Sequence, residues 1–408
     1  MTAEWTFMVY IAGDNDLSGA GDEDLREMRT VGSTAAVNVV AEFDNAGDHG
    51  TRRFQVRRDG VGEPVETLDE TDSGSPETLL DFVAWAAAEY PAERYALVLW
   101  NHGGGWEPAE VDRVARSVGA AGYSEREAAE RSATPTGRVF FRSSLQRIFR
   151  LPTPADRAIC SDDGSGHSLD TLELGGVLGR AVEKIGRPFD LLGMDACLMS
   201  NYEVAYEIRD HARYLVASEE NEPANGWPYD RVLGRLTADP GIDAADLAAG
   251  IVDDYMGFYR DQGHTGDVTQ SAFDLARVAE LAAPFDALAD ALAAHMPAAG
   301  DEVWKAQRGS ARFWHNTLWD VSHFCEELEK ATADDAVRTA AAAVRAALAP
   351  GRGRPLLAEA HRGAKVEKCG GVTLYLLPPL MEISRFYSEL AWAKDHRWLR
   401  MLEAYHAA

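Results

Sequence analysis

Two apolar runs in this chain end in residues with reactive side chains. Residues 96–100, Ala-Leu-Val-Leu-Trp, lead into Asn101-His102-Gly103-Gly104-Gly105-Trp106, and Leu191-Leu192-Gly193-Met194 leads into Asp195-Ala196-Cys197. A thiol and an imidazole within hydrogen-bond reach form a nucleophile and base: the ring takes the thiol proton and later returns it to a leaving amine. Glycines beside His102 let a ligand approach the backbone closely and can offer N–H groups to an oxyanion. Cys197 reads as the opening of a helix over 198–209, and a helix N-terminus lowers a thiol pKa. Each residue also has a plainer role: a cysteine at a strand end is commonly core, and a histidine before glycines is commonly a loop residue.

The elements that must position this pair are short β-type runs alternating with helical ones. Residues 5–12 form an apolar run ended by Gly13-Asp14-Asn15-Asp16, and 37–43 form a second, ended by Asp44-Asn45-Ala46-Gly47. Residues 51–58 mix charges with Phe54 and Val56, as an edge strand does. Ser75-Pro76-Glu77 combines an N-cap with proline at the first helical position, and that helix runs to about Glu89. Strands at 95–100, 189–194 and 214–218 alternate with helices at 22–29, 171–184 and 198–209. The alternation implies an α/β fold: a mostly parallel sheet flanked by helices. Functional groups gather at the carboxyl ends of such strands, which would bring His102 and Cys197 to one edge.

The chain has 408 residues, 46% hydrophobic and 26% charged, the balance of a globular protein. Lys plus Arg number 40 and Asp plus Glu 66, a net charge of −26. That charge argues against nucleic acid or an anionic membrane as the partner and permits basic peptides or metal ions. No run of about 18 apolar residues is present, as a transmembrane helix would need. The N-terminus lacks a positive leader region, so the chain as given reads as cytoplasmic, or as secreted if a leader is missing. Cysteines stand at 160, 197, 325 and 369, without the paired spacing of a zinc site or disulfide framework.

Two stretches depart from the rhythm. Residues 107–159 carry nine Arg against seven acids, and 132–158 carry five Arg against one. From residue 244 the chain is Ala-rich and mainly helical, interrupted by β-type runs at 269–273 and 371–377. The expected organisation is therefore a core over 1–240 containing the Arg-rich insert, and a helical C-terminal subdomain over 241–408 that contributes strands. Asp162-Asp163-Gly164-Ser165-Gly166-His167-Ser168-Leu169-Asp170 superficially resembles a calcium loop, but position 6 is His167 rather than Gly. A turn capping the helix from Asp170 fits better. The glycines after His102 lack the Lys-Ser/Thr of a phosphate loop.

Taken in order, these motifs resemble the clostripain family of cysteine peptidases, within the caspase-like group. The resemblance rests on residues 5–17 (Trp-Thr-Phe-Met-Val-Tyr-Ile-Ala-Gly-Asp-Asn-Asp-Leu), Val37-Asn38-Val39-Val40, Asn101-His102-Gly103-Gly104-Gly105-Trp106 and Asp195-Ala196-Cys197-Leu198-Met199-Ser200. It continues through Ala217-Ser218-Glu219-Glu220 and Gly226-Trp227-Pro228-Tyr229, and is looser in the last third. It implies a caspase-like sheet and a cysteine endopeptidase acting on proteins or peptides with Arg or Lys at P1. Cys197 would be the nucleophile, His102 the general base and acid, and the N–H groups of Gly103 and Cys197 the oxyanion hole.

The resemblance also directs the choice at Asp195. Two residues before the nucleophile, its carboxylate points to the same side of an extended segment and would pair with a basic P1 side chain; its other role is to cap the following helix. Many relatives carry Asp where this chain has Asn225, so one pocket charge is missing and Arg should be favoured over Lys. Relatives are commonly cut between the His and the Cys, which makes Arg142 and Arg147 the expected autocleavage sites. The chemistry requires no cofactor; some relatives need calcium, whose ligands the sequence leaves unassigned. A pocket for acidic P1 residues would need Arg where Asp195 stands. The competing reading from another class is a catalytically inactive, peptide-binding relative.

Overall fold

The computed structural model describes residues 2–47, 50–58, 64–106, 159–162, 165, 167–313, 317–379 and 381–408. In chain order the elements are β1 (Ala3–Gly13), α1 (Ser18–Val31), β2 (Val37–Asn45), β3 (Thr51–Gln55), β4 (Glu66–Thr67), α2 (Pro76–Glu89), β5 (Ala92–Trp100), β6 (Ile159–Asp162), β7 (His167–Leu169), α3 (Thr171–Ile185) and β8 (Phe189–Asp195). They continue with α4 (Tyr202–Glu207), β9 (Ala212–Ala217), α5 (Tyr229–Ala238), α6 (Ala244–Asp261), β10 (Val268–Asp274), α7 (Ala282–His295), α8 (Ala298–Gly309) and β11 (Leu318–Asp320). The last are α9 (Val321–Ala331), α10 (Asp335–Ala347), β12 (Leu356–Arg362), β13 (Thr373–Tyr375), α11 (Ala391–Asp395) and α12 (Trp398–His406). These form two compact units: Met1–Phe189 with Ala224–Gly241, and Asp190–Pro223 with Ile242–Ala408.

In the first unit the strand order is β5-β1-β2-β3-β4. β1 lies parallel to both β2 and β5, so Val9 faces Ala41 on one side and Val98 on the other. All three residues are fully buried, as expected of parallel strands covered on both faces. Helices α1 and α2 pack on this sheet, and α3 packs on α2. Local signals set the helix starts. Ser75 caps α2 by accepting the Glu77 N–H, with Pro76 at the first position. Asp170 caps α3 in a full capping box with Glu173, as expected, while residues 163, 164 and 166 of the preceding stretch lie outside the described residues.

The segment at 51–58 departs from expectation. β3 is not an edge: it pairs with β2 and β4, and Arg53 is 4% exposed. Its Nε donates to Glu42 at 2.7 Å, and its two terminal nitrogens donate to Glu66 at 3.0 Å and Asp81 at 2.6 Å. The guanidinium also lies over Trp85, 5.1 Å from the ring centroid. The Arg53 charge is thus met by the buried Glu42 and by two carboxylates that reach solvent.

In the second unit the order is β12-β10-β9-β8, and β10 runs antiparallel to both β9 and β12. The C-terminal region does contribute strands to this sheet, but not from 371–377. There β13 pairs with β11 in a separate two-stranded ladder. The strand that joins β10 is β12, Leu-Leu-Ala-Glu-Ala-His-Arg, whose composition favours helix and whose pairing overrides it. Tyr202 packs against Phe285 and Trp392 with centroids 4.8 Å apart in each case, docking α11 onto α4 and α7. Beneath them, Glu203 accepts from the Tyr375 N–H and the Tyr387 hydroxyl, and burial pushes its carboxyl up to about 7.

Candidate active site

The turn after β5 is tied down by side-chain amides. Asn101 Nδ2 donates to Ala12 O and to Ser161 O, while its Oδ1 accepts from Ser161 Oγ at 2.9 Å and from the His102 N–H. Asn15 Nδ2 reaches the same two carbonyls at 2.9 and 2.8 Å. The ends of β1, β5 and β6 are thereby joined into one rigid corner by four hydrogen bonds from two side-chain amides. On that corner His102 Nε2 lies 2.8 Å from Asp16 Oδ1. A carboxylate accepts a ring N–H, so in the neutral ring this contact favours the proton on Nε2 and the lone pair on Nδ1. Gly103 is bridged to Ile159, and Gly105 adopts φ 71°, where only glycine is unstrained. Trp106 is buried behind the turn.

Asp16 was absent from the sequence-based set. It sits in the turn ending β1, and β1 is the parallel neighbour of β5, so strand adjacency was the signal that could have found it. Asp16→Asn is expected to lower kcat/KM about tenfold, because an amide no longer selects the Nε2–H tautomer. The effect is smaller than for a buried orienting carboxylate, since Asp16 is largely exposed. Steady-state kinetics on an Arg peptide check this; an unchanged kcat/KM would remove Asp16 from the site.

Cys197 lies two residues beyond β8 in a tight turn rather than at a helix N-terminus. α4 begins only at Tyr202, with Asn201 Oδ1 accepting the Val204 N–H at 3.1 Å. This corrects the expected helix over 198–209, and the helix dipole cannot be what activates the thiol. Burial, together with the nearby charges of Glu220 and Asp195, pushes the thiol up; the Glu222 N–H, 3.3 Å from Sγ, pulls the other way. Of the four cysteines, Cys197 alone is partly accessible. Leu198, directly after it, holds φ 66°, a left-handed conformation that costs a non-glycine residue about 1–2 kcal/mol. The loop after β9 maintains it: Leu198 N–H donates to Glu220 O at 3.3 Å and Ser200 N–H to Ser218 O at 2.7 Å.

Asp195 closes β8 and is 4% exposed. It does not cap α4, since Asn201 does, so that alternative falls. Its charge raises both the Cys197 thiol and the Tyr255 phenol. Tyr255 of α6 is a second residue the sequence reading missed. It is fully buried, its hydroxyl has no hydrogen-bond partner among the described residues, and it feels Glu222, Asp195 and Cys197. Asn225 is exposed at a loop tip, followed by Gly226 with φ 51° and the buried Trp227. His102 and Asn225 belong to the first unit, Cys197 and Asp195 to the second. Arg142 and Arg147 lie outside the described residues, as does the insert apart from Ile159.

Carboxylates also gather at the ends of β2 and β6. Asp44 is 2% exposed; burial, with Asp162 and Glu70 nearby, pushes it up to about 8. Its Oδ1 accepts from Thr51 at 3.1 Å. Asp162 instead accepts the N–H groups of Ser73 and Ser165, at 2.9 and 2.7 Å. No described helix is long and apolar enough to cross a membrane.

Comparison with known proteins bears on this geometry. Residues 9–135 and 151–404 match the clostripain family. Clostripain of Hathewaya histolytica is 28% identical over 272 residues, 59% of this chain and 44% of that protein, so the chain matches under half of that relative's length. Among solved structures, a secreted C11 cysteine protease from Bacteroides thetaiotaomicron, in complex with an irreversible peptide inhibitor, superposes with a TM-score of 0.65 at 18% identity, covering 97% of this chain and 99% of that one. An inactive zymogen C11 protease from Parabacteroides distasonis gives 0.67 at 21% identity, covering 97% and 98%. The fold expected from the sequence, an α/β caspase-like one, is the fold these structures share.

Proposed function

The chain belongs to the clostripain family, and from that premise we propose that it is a cysteine endopeptidase with Cys197 as nucleophile and His102 as general base and acid. The observation that carries the reading is the preparation of each residue. His102 sits on a rigid corner with Asp16 directing its Nε2, and Cys197 directly precedes the strained Leu198 with its sulfur partly open. A thiol pushed up by burial and acidic neighbours needs a base, and a histidine with a free Nδ1 is one.

His102 Nδ1 takes the Cys197 proton, and the sulfur attacks the scissile carbonyl carbon. The oxyanion is held by the N–H groups of Gly103 and Cys197. The imidazolium then protonates the departing amine, leaving a thioester. A water that gives its proton to His102 attacks that thioester, releasing the acid product and returning the thiol proton.

For substrate choice we place Asp195 and Asn225 at the P1 side chain. A buried carboxylate recognises a cation, and an uncharged amide still accepts a guanidinium N–H. Peptides with Arg at P1 should therefore turn over roughly tenfold faster than matched Lys peptides. The test is a fluorogenic assay of both, with and without a thiol-alkylating reagent and with and without calcium. Equal Arg and Lys rates would remove Asn225 from the pocket. The absence of any alkylation-sensitive cleavage would favour the inactive, peptide-binding reading. Processing at Arg142 or Arg147 belongs to the same proposal, since both fit the enzyme's own specificity.

A further inference from the structure

In the second unit, three acidic or thiol side chains to which no chemistry has been assigned converge in the core. Glu219 follows β9, Asp320 ends β11, and Cys369 lies in the loop before β13. Glu219 and Asp320 are 0% exposed and Cys369 5%. Their ligand atoms all lie within 4.8 Å of one another. Zinc binds carboxylate oxygen at about 2.0–2.2 Å and thiolate at about 2.3 Å, so its ligands sit roughly 3.3–3.8 Å apart. The three side chains need only close inward slightly to meet that spacing.

We propose that Glu219, Asp320 and Cys369 form a buried structural site for a zinc-class divalent cation. Two buried carboxyls without a cation are costly. Among the described residues none forms an ion pair with Glu219 or Asp320, because nearby cations are engaged elsewhere. Lys365 pairs with Glu220, Lys368 with Glu326 and Glu327, and His361 with Glu359. Among the described residues neither Glu219 oxygen has a hydrogen bond of normal geometry; its carboxyl faces that of Asp320, with the Gly371 N–H as a further, looser neighbour. Asp320 is oriented by the N–H groups of His323 and Gly370, at 2.6 and 2.7 Å, and each of its oxygens keeps a second lone pair. Gly371 has φ 85°, and a Cβ there would strike Ser271 and Glu359, so the loop beside Cys369 is held close by necessity.

The donor set selects the metal class. A thiolate disfavours calcium and magnesium, whereas two carboxylates and a thiolate suit zinc. Water or Glu359, whose charge acts on all three groups, would complete four-coordination. Binding would release the thiol proton. Cysteine spacing gave no sign of this site, because its ligands come from three separate segments. Its consequence would be mechanical: the cation would fasten the loop at 218–222, which supplies the backbone contacts to Leu198, Ser200 and Cys197 Sγ.

The test uses the full chain carrying Cys197→Ala, so that zinc cannot bind the reactive thiol. After incubation with zinc and dialysis, elemental analysis should find about one zinc per chain, and Glu219→Gln or Cys369→Ser should lower occupancy at least about tenfold. Cobalt in place of zinc should show a thiolate charge-transfer band that Cys369→Ser abolishes. A chelator should lower the melting temperature by roughly 5 °C or more in the parent and not in Glu219→Gln. A parent that retains no zinc, with Glu219→Gln melting at or above it, would overturn the proposal in favour of a carboxyl pair sharing a proton. These readouts do not depend on peptidase activity, so they stand or fall apart from the functional proposal.

Discussion

Replacing Cys197 by Ala is expected to reduce hydrolysis of an Arg peptide by at least about 10⁴-fold, with the melting temperature nearly unchanged. The loss is large because the proposed reaction has no other covalent path. Cys160, Cys325 and Cys369 are buried, and burial pushes all three thiols well up. The stability cost is small because the sulfur gives up little beyond its contact with the Glu222 N–H, and sulfur is a weak acceptor. His102→Ala should cost a similar factor. The double variant should be no worse than either single one, since residues that act as a unit are not additive. Additive losses would mean that the two residues do not act on one proton. Residual hydrolysis within tenfold of the parent would mean that Cys197 is not the nucleophile. If processing between His102 and Cys197 is autocatalytic, Cys197→Ala should also remain a single chain.

Arg53→Met is expected to destabilise the first unit by about 3–5 kcal/mol at pH 8, and by less at pH 5. The substitution keeps most of the aliphatic stem but leaves Glu42, 1% exposed, without its cation. Glu66 and Asp81 are largely exposed and contribute little. The pH dependence follows from Glu42, which burial already lifts to about 7 in spite of Arg53. A carboxyl raised above its ordinary value of 4.5 contributes stability that is fully present below that value and is lost as pH rises through about 7. Without Arg53 the carboxyl rises further. At pH 5 it is neutral and tolerated, while at pH 8 it must be buried charged or take up a proton against the solution. Urea unfolding at both pH values measures the difference. In a Glu42→Gln background the Arg53→Met cost should become nearly independent of pH; equal losses at pH 5 and 8 in the parent would refute the account.

The parts of this fold that could be read from residues alone are those set by local chemistry. The helix over Pro76–Glu89 and the capping box at Asp170 depend on side chains within a few positions of the backbone they satisfy. The buried parallel strands announce themselves as continuous apolar runs, and the reactive residues stand directly after two of them. Local composition failed where pairing overruled it. β12 is built from helix-forming residues and becomes a strand because β10 offers an open ladder. The stretch after Cys197 has helical composition, yet its first residues are drawn into hydrogen bonds with Ser218 and Glu220.

By itself, then, the sequence determined the α/β class, the apolar core strands at 5–12, 37–43, 95–100 and 189–194, and the choice of His102 and Cys197 as the candidates to watch. All three rest on types and spacings within short windows. Only the tertiary structure decided what surrounds those residues. Asp16 reaches His102 because β1 and β5 are parallel neighbours, Arg53 is buried because β4 lies outside β3, and Glu219 meets Asp320 and Cys369 across three distant segments. The reason is common to each: a charge in a sequence carries no record of whether it will face water or another charge, and folding fixes that by packing segments that are remote along the chain.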